Sequence, residues 1–273
     1  MLQSWHKLSG PGLEEGIRLR LDFMIFTGCE ENVPDETTFC KFRKKLIELD
    51  LWAKELDLVN EGLVRQGMEI KAASGAIIDA TIIESAARPR KEIDGIAIDR
   101  REDESIEVVC GDTSLSCDPD ARWLKKGNRS YFGYKAFVCV DAKHGFIMNV
   151  DVTPANVSEV RSMELAIGPL RPARLYADKG YASAENRELL GLSGIKDGIM
   201  HKAVKNKPLT KWQKLFNRMI SRKRYPIEQA FGTLKRRFKL DKASYMTLAK
   251  VRAEALMKAI ASNLLKAAGM LEV

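Results

Sequence analysis

The chain has 273 residues, 45% of them apolar and 30% charged, with a formal net charge of +8. That length and apolar share support one large folded domain, or a large domain with a small companion, and exclude wholesale disorder. No run approaches about eighteen consecutive apolar residues, and the start, Met1-Leu-Gln-Ser-Trp-His-Lys7, lacks a signal-peptide pattern, so neither a membrane span nor a secretory leader is expected.

Residues 13–60 read as helical. Leu13, Ile17, Leu21, Met24 and Ile25 recur at helical spacing and predict one helix. Pro34-Asp35 opens a second, with Asp35 as N-cap and Phe39, Phe42, Leu46 and Leu49 on one face. Basic Lys41, Arg43, Lys44 and Lys45 surround that face. The pair suggests either a helix-turn-helix-like element or an amphipathic pair packed on the core. From Gly75 the pattern becomes strand-like, with Ile77, Asp79 and Thr81 on one face and Ile78, Ala80 and Ile82 on the other. Residues 88–130 are charged and irregular and read as a long surface insertion. The runs Tyr131–Asp141 and Gly145–Thr153, joined by a turn at 142–145, predict a β-hairpin. Helices are expected over 157–167 and 183–190, a strand ending at Asp178 and a short one over 194–200. Further helices are expected over 210–222, 226–240 and 247–268.

The cysteines Cys29, Cys40, Cys110, Cys117 and Cys139 are odd in number and scattered. This argues against a disulfide framework and fits a reducing cytoplasm. His6, His144 and His201 show no zinc-ligand spacing. The basic charge is concentrated: residues 201–250 hold fifteen Lys/Arg against two Asp/Glu. Such a concentration is the footprint of a polyanion partner, and here it surrounds Glu228 instead of forming a tail.

Asp79 and Asp178 each sit in or at the end of an apolar run, where a carboxylate is costly unless a cation neutralises it. The order β-β-β-α-β, with the first strand central, lets Asp79 and Asp178 meet at one edge of a mixed sheet. A later helix can then lay Glu228 over that edge, as in ribonuclease H-like folds. Arg224, Glu228, Phe231 and Lys235 fall on one helical stripe, and Pro226 places the helix start nearby, with Glu228 in its first turn.

The spacing Arg224-x3-Glu228-x6-Lys235 resembles the signature of DDE-type insertion-sequence transposases. Asp178-Lys179-Gly-Tyr181 resembles their second-aspartate motif, and Ile78-Asp79-Ala-Thr their first. Asp118-Pro-Asp-Ala-Arg-Trp123, Lys125–Lys135 and Val152-Thr-Pro-Ala-Asn-Val157 resemble the segments between. The likeness is closest to the IS-five branch of the IS-four-like group and covers nearly the whole chain. It implies an α/β fold: a ribonuclease H-like mixed sheet flanked by helices over 71–273, preceded by a helical N-terminal region over 1–70 with a DNA-binding role. It also implies that Asp79, Asp178 and Glu228 hold two Mg²⁺ (or Mn²⁺) ions, and that Arg224 and Lys235 contact DNA phosphates. The implied partners are terminal inverted repeats, target DNA and a second copy of the chain, in the bacterial cytoplasm on the nucleoid. No membrane partner is implied. The signature's tyrosine is replaced by Ser221, so no role is carried to that place. Relatives usually carry more chain before the Gln3-Ser-Trp-like start, so part of an end-recognition region is expected to be missing. Tyr181 is expected to pack beneath its loop and Trp123 to anchor a hairpin or the core. Other readings are a nuclease without strand transfer and an inactive DNA-binding remnant.

Overall fold

The structure is a computed structural model that describes residues 1–29, 31–70, 75–87, 98–100, 106–108 and 118–271. Five helices come first: α1 (Leu2–His6), α2 (Gly10–Leu19), α3 (Leu21–Thr27), α4 (Glu36–Glu48) and α5 (Trp52–Arg65). The helix predicted to run from Leu13 through Ile25 is thus two helices. Arg20 is extended at φ −107°, ψ 119°, and its guanidinium lies 4.0 Å from the centre of the Phe23 ring. The break turns Phe23 inward onto Leu2, Leu13 and Ile17, and a Cβ at Gly16 would stand only 2.9 Å from that ring. Asp35 caps α4 as predicted, accepting from the Thr38 amide at 2.7 Å.

The main sheet contains β1 (Ala76–Glu84), β4 (Arg122–Lys126), β5 (Arg129–Asp141), β6 (Ile147–Pro154), β7 (Arg174–Ala177) and β8 (Lys196–Ile199). Its order is β4-β5-β1-β7-β8, with β6 also on β5. β1 is central as expected, antiparallel to β5 and parallel to β7. The remaining helices are α6 (Met163–Ile167), α7 (Ala184–Leu192), α8 (Lys211–Lys223), α9 (Tyr225–Arg236) and α10 (Leu248–Leu271). Ile77, Ile83 and Val138 pack one face of the sheet against Ile227 and Leu234 of α9, Leu256 of α10 and Leu56 of α5. Ile78, Phe137 and Ala177 pack the other against Met163 of α6 and Leu190 of α7. This is the ribonuclease H-like mixed sheet flanked by helices, with a helical N-terminal region.

Turn chemistry fixes the predicted hairpin. Buried Asp141 accepts from the amides of Lys143 (2.9 Å), His144 (2.7 Å) and Phe146 (2.6 Å), closing the β5–β6 turn. The stretch read as irregular over 88–130 is regular in parts. β2 (Ile98–Arg100) and β3 (Ile106–Val108) pair antiparallel, and β4 joins the main sheet. Buried Asp118 anchors the return to the sheet: it accepts from Ser85 Oγ at 2.7 Å, the Thr247 amide at 3.0 Å and the Tyr134 hydroxyl. The insertion reading over 88–97, 101–105 and 109–117, and Cys110 and Cys117, lie outside the described residues. Among the described residues no helix is long and apolar enough to cross a membrane.

Candidate active site

Strand register brings the two aspartates together. Ala76 pairs with Leu175 and Ile77 with Tyr176. Carried two steps past the last pair, that register puts Asp79 level with Asp178, the residue after β7 ends at Ala177, and the Asp178 charge acts on Asp79. Asp79 is therefore mid-strand in β1, at the point where its parallel neighbour stops. By the two-residue alternation of a strand, Asp79 shares the face of Ile77, the side covered by α9 and α10. Asp178 starts the 3₁₀ turn Lys179–Tyr181 and accepts from the Gly180 amide at 2.5 Å.

Asp79 is largely buried, and one of its oxygens accepts from the Ala80 amide at 2.8 Å. Arg224 donates to the other oxygen. Burial raises the Asp79 carboxyl above its usual range; Arg224 offsets part of this, and the charges of Asp178 and Glu159 add to the rise. The site thus gathers more negative charge than its one guanidinium balances.

Glu159 is the residue that sequence reasoning missed. A Cβ at Gly180 would collide with Glu159 Oε2 and stand 2.8 Å from Asp178 Oδ1, so the two carboxylates flank this turn across the space that glycine leaves open. Glu159 Oε1 lies 3.8 Å from Nζ of buried Lys135, which also donates to the Val157 carbonyl at 2.8 Å. The signal in the sequence was faint: Glu159 follows the recognised Val152–Val157 segment by two positions, in the first turn of the helix expected over 157–167, where an acid is unremarkable; in the structure it precedes the 3₁₀ turn Val160–Ser162.

Tyr181 is fully buried, and its ring belongs to the core beneath the sheet. Its hydroxyl is buried without a hydrogen-bond partner. Burial drives the phenol far above its ordinary value, and Asp79, Glu159 and Asp178 push it the same way. An orphaned hydroxyl among crowded carboxylates is a set of hard oxygen donors, the chemistry that suits a divalent cation. The donor chemistry therefore suits such an ion, while among the described residues the spacing of the acids does not form a ligand group.

Helix α9 begins at Tyr225 with Pro226 in its first turn, as the sequence predicts, and Arg224 is the residue before it. The expected stripe is rearranged. Ile227, Ala230 and Leu234 take the buried side, Glu228 is exposed, and Arg224 is turned onto Asp79. Glu228 does not join the aspartates here; among the described residues no three His, Cys, Asp or Glu stand close enough to hold a metal ion. Lys235 is half-buried, and burial lowers its amine, as does nearby Lys126. Lys179 is exposed. Trp123 lies on β4, tilted against Phe132 across the strand pair at 5.4 Å, the hairpin anchor expected of it.

Residues 71–264 match the family described as "Transposase DDE domain", and residues 1–45 match one described as "Transposase domain". The transposase for insertion sequence element IS1106 of Neisseria meningitidis serogroup B is 41% identical over 256 residues, covering 93% of this chain and 84% of that protein. These matches identify a family and leave the branch within it unassigned.

Proposed function

We propose, from the premise that this chain belongs to the transposase DDE-domain family of insertion sequences, that it cuts transposon ends and joins them to target DNA with Asp79, Asp178 and Glu228 as its catalytic carboxylates. The observation that carries this reading is the side-by-side placement of Asp79 and Asp178 at the end of β7, beneath the start of α9. Bound divalent ions, two Mg²⁺ or Mn²⁺ in this reading, supply Lewis-acid activation of water and of the scissile phosphate. Asp79 and Asp178 would hold them from the sheet, and Glu228 would join from α9 once a rearrangement brings its exposed side chain to the aspartates. Arg224, which donates to Asp79, would neutralise phosphate charge on the bound DNA. Lys235, further along α9, holds the DNA backbone. Asp178 keeps its aim through the Gly180 amide, and Glu159 and Tyr181 close the site from below.

No side-chain nucleophile is required, because the 3′-hydroxyl released by hydrolysis attacks the target strand in line. Residues 1–70 form a DNA-binding region and 71–273 the catalytic domain in this reading. The partners are terminal inverted repeats, target DNA and a second copy of the chain in the synaptic complex, in the bacterial cytoplasm on the nucleoid. The test is a strand-cleavage and strand-joining assay on an end-containing duplex with Mg²⁺ or Mn²⁺. Cleaved and joined products are expected. Cleavage without joining marks a nuclease, and absence of both marks a DNA-binding remnant.

A further inference from the structure

The hairpin formed by β4 and β5 is basic at its tip and stands apart from the carboxylates. Lys126 pairs directly with Arg129 across the Gly127-Asn128 turn, and Gly127 supplies the positive φ (63°) that a tight turn needs. Like charges placed directly opposite on paired strands are destabilising. Lys125 and Lys126 are exposed and take part in none of the ion pairs formed among the described residues. Arg129 has one acidic partner, Glu84 at 3.0 Å, and both side chains are well exposed.

Two further cations arrive from elsewhere in the chain. Lys235 on α9 feels the charge of Asp241 most, and after it those of Lys126 and Glu84. Lys242 lies in the segment after α9 that pairs with the end of β1: the Glu84 amide donates to Asp241 O at 2.9 Å, and the Ala243 amide to Glu84 O at 2.8 Å. Lysines on an edge strand do discourage aggregation. That purpose does not require cations from α9 and the following segment to converge on the same hairpin.

Helix and strand agree on where this patch lies relative to the site. Along β1, Asp79 to Glu84 is five residues, about 17 Å at the rise of a strand. Along α9, Arg224 at Asp79 to Lys235 is eleven residues, about 17 Å at the rise of a helix. The two elements thus reach the base of the hairpin over equal lengths; its tip lies further on, since Val138 is opposite Asp79 and Arg129 is nine residues from it along β5, about 30 Å at the rise of a strand. Successive phosphates of one strand span about 3.4 Å of duplex axis each, so 30 Å corresponds to about nine base pairs.

Resting on the transposase reading, we infer that the β4–β5 hairpin, with Lys125, Lys126 and Arg129 at its tip and Lys235 and Lys242 toward its base, is a clamp for the duplex phosphate backbone whose tip lies about nine base pairs from the cleaved bond. The clamp binds charge and shape, not sequence.

The test uses the full chain and a duplex spanning one end of the element that encodes it, with flanking DNA. Affinity is measured against salt, and hydroxyl-radical footprints are taken, for the wild type, K125A/K126A/R129A and the charge-keeping K125R/K126R/R129K. The alanine variant is expected to lose up to about 3 units of log–log salt slope, at about 0.9 per phosphate contact. It should also lose protection about nine base pairs from the cut, while the charge-keeping variant retains both. An unchanged slope and footprint in a folded alanine variant overturns the clamp, and so does lost affinity at an unchanged slope. Footprinting the same duplex with Asp79→Asn separates the two proposals. If Asp79→Asn still cuts, the carboxylate assignment fails while the hairpin footprint is still read.

Discussion

Arg224 donates to Asp79 from 145 positions away in sequence, joining the residue before α9 to the middle of the central strand. The contact makes the guanidinium a stand-in counter-ion for a buried carboxylate. In the proposed mechanism it would also compete with a divalent ion for the same oxygen.

Removing that competitor should tighten ion binding even as it weakens catalysis. Arg224→Gln is expected to raise Mn²⁺ affinity on the order of tenfold, since a neighbouring arginine shifts carboxylate energetics by a pKa unit or more. Calorimetric titration of Mn²⁺ into wild type and variant checks this. Equal or weaker affinity in the variant would show that Arg224 helps to build the ion site instead of holding its place.

Asp79→Asn and Asp178→Asn each remove a charge and almost no volume. Cleavage should fall by at least about a hundredfold, the scale seen when one electrostatic stabiliser is removed from an active site. DNA affinity should stay within a few-fold. Gel-shift and cleavage assays on one preparation compare the two, and either variant cutting at the wild-type rate sinks the assignment.

Glu228 and Lys235 lie on the same helix but have different expected roles. Glu228→Gln should stop cleavage at every Mg²⁺ concentration, because an amide is a poor ligand for a hard cation. Lys235→Ala should bind DNA more weakly and be partly rescued by lower salt. If Glu228 merely favoured the helix N-terminus, its loss would alter stability by only about 0.3–1 kcal/mol and spare cleavage. A salt titration of both variants distinguishes these cases.

Burial lifts the Asp79 carboxyl above its ordinary value of about 3.9, outweighing Arg224. The folded protein therefore holds this proton to higher pH than the unfolded chain does. Asp79 favours folding more as pH falls from the raised value toward about 4, and this contribution is lost as pH rises again. Without divalent ions, the melting temperature of wild type minus that of Asp79→Asn should become more favourable to wild type on acidification. A difference that moves the other way would show that the arginine, and not burial, dominates.

Periodicity carried much of this architecture. β1, the β5–β6 hairpin and α10 are long and regular, and the Pro226 and Asp35 signals located helix starts to within a residue. The break at Arg20 was hidden because an uninterrupted apolar spacing fits one helix as well as two; only the inward turn of Phe23 separates them. β4 was masked by its charge, since its burial alternates weakly at an exposed sheet edge. Within the site, Asp79 and Asp178 stood out as acids in apolar runs. Glu159 lacked any such contrast, and its closeness to Asp178 depends on the missing side chain of Gly180. The pairing of Arg224 with Asp79 depends on tertiary placement that helical spacing alone does not contain.

The Trp5 indole donates to the Ala261 carbonyl of α10 at 2.9 Å, and Asn60 of α5 meets Asn263 of the same helix at 2.8 Å. The N-terminal helices are therefore bolted to a rod of 24 residues, about 36 Å long, instead of swinging on a tether. That length is close to one turn of duplex. Any DNA gripped by those helices is held at a fixed offset from Asp79, so the distance from a gripped sequence to a cut bond would be measured by the rigidity of the protein. Loosening the bolt with Trp5→Ala would blur that distance before it weakened the grip.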